Sequence, residues 1–136
     1  MKSELEDTII KACPNLYRGV SLPLRECLMA FGMECGDGWY ELIFELSKSL
    51  EKLILELPEK EREHYYAMQV KEKFGSLRFY VSYGTDEMFT LIDEAETRSE
   101  SICEVCGKPG IMRKDYGWIY TSCEACLKPT DGLNND

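Results

Sequence analysis

Apolar and polar positions along this chain recur with two different periods, and each change of period marks an element. Leu5, Ile9 and Ile10 fall at helical spacing behind Ser3-Glu4-Leu5-Glu6, a Ser-x-x-Glu capping box, and Pro14 then intervenes, which predicts a short helix over residues 4–13. From Asn15 to Gly38 the pattern is irregular, broken by Gly19, Pro23, Gly32, Gly36 and Gly38, and reads as a packed connector in which Leu24, Leu28 and Phe31 supply two helical turns. Asp37 can cap the element that follows. Trp39, Leu42, Ile43, Leu46, Leu50, Leu53, Ile54 and Leu57 recur at steps of three, four and one, the strongest helix signal in the chain, and Pro58 stops it. The opposite face carries Glu41, Glu45, Lys48, Glu51, Lys52 and Glu56, which reads as a solvated charged side.

The period then shortens to two. Met68, Val70 and Phe74 alternate with Gln69, Lys71 and Lys73; after the turn Phe74-Gly75-Ser76, Leu77, Phe79, Val81 and Tyr83 alternate with Arg78, Tyr80 and Ser82. This predicts a β-hairpin whose face of Met68, Val70, Phe74, Leu77, Phe79 and Val81 lies on the long helix, because an isolated hairpin is only marginally stable. Its other face shows Lys71, Lys73, Arg78 and Tyr80. Thr85 can cap a last helix, with Phe89, Ile92 and Ala95 as its apolar stripe through about Ser99. Residues 128–136 have too few apolar side chains to pack and read as a mobile tail.

Between that helix and the tail lies the chain's clearest chemistry. Cys103-Glu104-Val105-Cys106 and Cys123-Glu124-Ala125-Cys126 form a C-x2-C-x16-C-x2-C pattern, a spacing that suits a tetrahedral four-thiolate zinc site. The two stretches repeat each other: Cys-Glu-Val-Cys-Gly-Lys-Pro at 103–109 and Cys-Glu-Ala-Cys-Leu-Lys-Pro at 123–129 read as two similar knuckles on one ion, with Gly107 permitting the tight turn. Ile111-Met112-Arg113-Lys114 and Trp118-Ile119-Tyr120-Thr121 can pair about Tyr116-Gly117, completing a zinc ribbon. Four sulfurs close the coordination sphere, so one structural zinc ion is expected; iron uses the same ligands, and spacing does not separate the two. Cys13, Cys27 and Cys35 have no such pattern and read as small core residues, and the lone His64 reads as a packed or exposed histidine.

Composition narrows the function. The 136 residues include 44% hydrophobic side chains, enough to bury a core, and divide into a helical and hairpin body over 1–100, the ribbon over 101–127 and the tail. The expected class is α+β, helices packed on a β-hairpin with a C-terminal four-cysteine zinc ribbon. No apolar run approaches the roughly 18 residues of a membrane span, and seven cysteines suggest metal ligation in a reducing cytoplasm. No phosphate loop, nucleophile elbow or open zinc motif is present, so a non-enzymatic role is expected. Lys71, Lys73, Arg78, Tyr80, Lys108, Arg113 and Lys114 could contact a phosphate backbone, but the formal charge of −9 opposes this, and an acidic helix face suits a basic protein groove better.

Phe31-Gly32, Gly36-Asp37-Gly38-Trp39, the run from Gln69 to Tyr80, Ala95-Glu96, Cys103-Glu104-x-Cys106-Gly107-x-Pro109-Gly110 and Gly117-Trp118 resemble a phage and prophage family of small zinc-ribbon proteins, across residues 31–126. The chain also resembles the zinc-containing anti-CRISPR proteins of the type II-A class. That resemblance implies a stoichiometric inhibitor in the bacterial host cytoplasm that binds Cas9 and prevents DNA binding or cleavage. Glu41, Glu45, Glu51 and Glu56 are then the candidate contact surface, with Lys71, Lys73, Arg78 and Tyr80 serving the alternative of a nucleic-acid-binding accessory protein; a structural interaction module is a third reading.

Overall fold

The computed structural model describes residues 1–114 and 117–128 of the chain. Helix α1 (Ser3–Ala12) forms where its periodicity predicts, but the capping box does not: Ser3 lies inside the first turn, Lys2 occupies the cap, and the Glu6 carboxylate accepts from the Met33 N–H at 2.6 Å. That bond fastens α1 to the connector. The connector runs through 3-10 turns at Arg18–Ser21 and Met29–Phe31 and packs Leu16, Tyr17, Cys27 and Met29 into the core. It also contains a strand the pattern did not reveal, β1 (Met33–Glu34), too short to show alternation.

Asp37 opens a 3-10 turn over Asp37–Trp39 and accepts from the Lys2 N–H at 2.8 Å, so it does not cap helix α2 (Tyr40–Leu55). Along α2 the expected stripe is buried, led by Trp39, Ile43, Leu50 and Ile54. Glu51, expected on the solvated face, is buried too. Its carboxylate accepts from the Asn15 N–H (3.3 Å), the Asn15 side-chain amide (2.8 Å) and the Leu16 N–H (2.8 Å), satisfying the chain where it leaves α1.

Strands β2 (Ala67–Lys73) and β3 (Ser76–Val81) form the antiparallel hairpin, and β1 adds to it in parallel through Met33 opposite Val70, giving a mixed sheet in the order β1-β2-β3. A bulge between Ala67 and Gln69 leaves Met68 unpaired. Val70, Leu77 and Phe79 are buried as predicted, but Phe74 is not. It occupies the two-residue turn with Gly75, both at positive φ (54° and 81°), the twist a tight hairpin requires. Helix α3 (Asp86–Ser99), capped by Thr85 Oγ1 accepting from the Met88 N–H at 3.2 Å, buries Met88, Ile92, Ala95 and Ser99; the stripe runs through Met88, leaving Phe89 at the surface. The helix also closes the open edge of β3, where the Leu77 N–H donates to Ser99 Oγ (2.8 Å) and the Phe79 N–H to the Glu96 carboxylate (2.9 Å).

Strands β4 (Ile111–Arg113) and β5 (Tyr120–Ser122) pair antiparallel in the C-terminal ribbon. The ribbon is docked on the body. Gly38 N–H donates to the Glu104 carbonyl (2.7 Å), the Trp39 indole N–H to the Ile102 carbonyl (2.9 Å), and Thr121 Oγ1 to the Gly75 carbonyl (2.6 Å). Of the expected tail, Lys128 lies against Tyr120, and residues 129–136 lie outside the described residues, as do 115 and 116 of the ribbon turn. Among the described residues, no helix is long and apolar enough to cross a membrane.

Candidate metal centre and surrounding surfaces

The ribbon brings Cys103, Cys106, Cys123 and Cys126 together with all four sulfurs within 4.8 Å of one another. Cys106 Sγ and Cys123 Sγ are 3.6 Å apart, close to the roughly 3.8 Å edge of a tetrahedron with metal–sulfur bonds of about 2.3 Å. Each pair sits on a tight turn: Gly107 N–H donates to the Cys103 carbonyl (2.9 Å) with Gly107 at φ 83°, and Cys126 N–H donates to the Cys123 carbonyl (3.2 Å). The four residues can hold a metal ion, as the spacing predicts.

Burial raises the Cys103 thiol, but backbone N–H groups of Cys123, Cys106 and Val105 outweigh it and bring it down to about 6. Cys126, hydrogen-bonded to the Cys123 sulfur and further raised by burial, is pushed up to about 12. A divalent cation binds the thiolate form and displaces the thiol protons, so metal affinity falls as pH falls.

Docking of the first knuckle explains two glycines of the connector. A Cβ at Gly38 would collide with the Cys103 carbonyl oxygen and one at Gly36 with the Glu104 carbonyl oxygen, while the Gly36 N–H donates to the Glu104 carboxylate at 2.8 Å. Gly36-Asp37-Gly38 is therefore the seat of the metal site. Cys13 and Cys35 are core thiols, pushed up to about 11 and about 12 chiefly by burial. Neither they nor Cys27 and His64 join a metal-holding group among the described residues.

The four candidate contact glutamates separate. Glu41 and Glu45 are exposed near the start of α2, Glu51 is the buried lock described above, and Glu56 lies 15 residues beyond Glu41, about 22 Å along a helix axis. In their place α3 contributes an acidic residue that helical periodicity in α2 could not show: Glu94, with Leu91 and Arg98 on the same side of α3, lines a groove between the helices together with Glu45. Arg98 pairs with Glu45 at 3.8 Å.

The alternative basic set does share a face, as predicted. Lys71 stands opposite Arg78 and Gln69 opposite Tyr80, but β1 places Glu34 beside Lys71, and Arg78 donates to Ser76 Oγ (3.0 Å). Arg113 braces the ribbon by donating to the Ser122 carbonyl at 3.1 Å. Sequence reasoning missed a further cluster, in which the exposed Phe74 faces the ribbon's Trp118 and Tyr120 across a cleft of about 610 Å³; its only signal was a phenylalanine in a turn position that favours asparagine. No protein-family model, curated protein or solved structure matches the chain.

Proposed function

We propose that this chain is a non-catalytic, zinc-stabilised protein that binds a basic nucleic-acid-binding protein through its α2–α3 face and keeps nucleic acid off it. The observation that carries this reading is the acidic surface on which Glu41 and Glu45 border one hollow and Glu45 and Glu94 the adjoining groove, with Arg98 already paired to Glu45. Such a surface presents to a cationic groove the charge that a phosphate backbone would present, and it accelerates encounter with that groove. Zinc suits the four thiolates on two knuckles and would be structural, because four sulfurs fill a tetrahedral sphere. Cas9 in the bacterial cytoplasm is the partner implied by the anti-CRISPR resemblance.

Reversal of the charges tests the surface directly. The E41K/E45K/E94K variant is expected to associate with the Cas9–guide complex about tenfold more slowly and with a flatter salt dependence, while retaining its metal and fold. Rates equal to those of the unaltered chain, at low and at physiological salt, would remove this surface from the account.

A further inference from the structure

We propose that the cleft between the β2–β3 turn and the ribbon binds an arginine side chain of a partner protein, and that Lys128 holds its place in the unbound chain. This site is separate from the α2–α3 face. Trp118 and Tyr120 stack with ring centroids 5.7 Å apart, and the Lys128 ammonium lies 4.8 Å from the Tyr120 centroid and 5.9 Å from that of Trp118. The chain thus already seats a cation on this aromatic pair, where the ring quadrupoles attract it. The Lys128 backbone N–H donates to the Tyr120 hydroxyl at 3.0 Å, which brings this lysine back over the ribbon.

Glu72 and Glu104 line the same cleft. One oxygen of each is held by a loop amide, from Gly75 (2.7 Å) and Gly36 (2.8 Å), which fixes the carboxylates in place and leaves each a second oxygen as acceptor. A guanidinium suits this arrangement better than an ammonium, since it is planar, stacks on an indole and carries five N–H donors. Charge agrees: Glu72 and Glu104 balance Lys73 and Lys128, so moving Lys128 out leaves a deficit of one positive charge, which an arginine restores. A nucleic acid could stack a base on the same rings, but its phosphates would meet both carboxylates.

Phe74 adds a further aromatic wall to the cleft. It is a non-glycine residue at φ 54°, a conformation costly for a bulky side chain, and it is 63% exposed, so the core gains nothing from it. Asparagine would suit the turn better. Its ring stands at the lip of the cleft with the Lys73 ammonium 5.6 Å from its centroid, a second aromatic face that already seats a cation beside the site.

The test is a titration of the isotope-labelled, metal-loaded full chain with an end-blocked Gly-Arg-Gly peptide, the matching Gly-Gln-Gly peptide and an oligothymidine, following the Trp118 indole N–H by NMR. The Trp39 indole, fully buried and bonded to Ile102, is the internal control. A saturable shift of Trp118 with the arginine peptide alone is expected, with affinity tightened about 2- to 5-fold in Lys128→Ala as the internal competitor is lost. Phe74→Asn is expected to raise the melting temperature yet weaken peptide binding, a combination that a purely structural role would not produce. Equal response to the glutamine peptide or to the oligothymidine, or unchanged affinity in both variants, would overturn the proposal. The E41K/E45K/E94K chain should bind the peptide as the unaltered chain does, so failure of one surface does not decide the other.

Discussion

Glu51 and Glu96 are the residues where charge and fold are most tightly joined. Glu51 satisfies three donors at the exit of α1, so Glu51→Ala leaves the buried Leu16 N–H without its acceptor and should cost about 2–3 kcal/mol, with Glu51→Gln recovering part of it. Urea denaturation of the two variants checks this; a loss below a few tenths of a kcal/mol for alanine would contradict it. Glu96 carries a carboxyl raised chiefly by burial, against the opposing Phe79 N–H and Arg78, with Asp93 adding the smallest upward push. The folded chain therefore holds this proton more firmly than the unfolded chain, and stability declines as pH climbs from the ordinary carboxylate range through the raised value. Glu96→Gln, which can still accept from Phe79, removes that decline. Its stability relative to the unaltered chain should improve between pH 5 and pH 7.5, measured in excess zinc, and parallel curves would show that Glu96 does not titrate differently on folding.

At the scale of elements, the ribbon and the connector loop form one unit. Cys106→Ser or Cys123→Ser removes one of four ligands, so either variant should lose metal and release the ribbon from Gly36 and Gly38, lowering the melting temperature of the whole chain. Metal analysis with thermal denaturation reads both effects, and full metal retention in both variants would contradict the four-cysteine site. Elements with a long periodic signal or a fixed ligand spacing were legible in the sequence: α2 through its stripe from Trp39 to Ile54, the hairpin about Phe74-Gly75, and the cysteine site. Features that depend on a distant partner were not. Two residues are too few for β1 to show alternation; Glu51 has the spacing of a solvated residue and is buried only because α1 ends above it; and Gly36 and Gly38 read as breaks in the pattern until the knuckle is seen against them.

For the molecule as a whole, charge is unevenly spread. Acidic side chains gather on the paired helices, while the ribbon and hairpin turn carry aromatic rings interleaved with both signs. The sequence conveyed the sum of −9 but not this division, because the acidic residues of α2 and α3 lie some 50 positions apart and meet only through packing of the two helices. The proposed binding to a cationic protein, rather than to nucleic acid, rests on this division. The most direct test is capture of the Cas9–guide complex on the immobilised, metal-loaded chain at physiological salt, with duplex DNA and single-stranded RNA as parallel baits, followed by addition of target DNA. The account predicts capture of Cas9 in a one-to-one ratio, exclusion of target DNA from the captured complex, and no retention of either nucleic acid alone. Retention of nucleic acid without Cas9, lost as salt rises, would contradict it and move the binding surface to Lys71, Lys73, Arg78 and Tyr80.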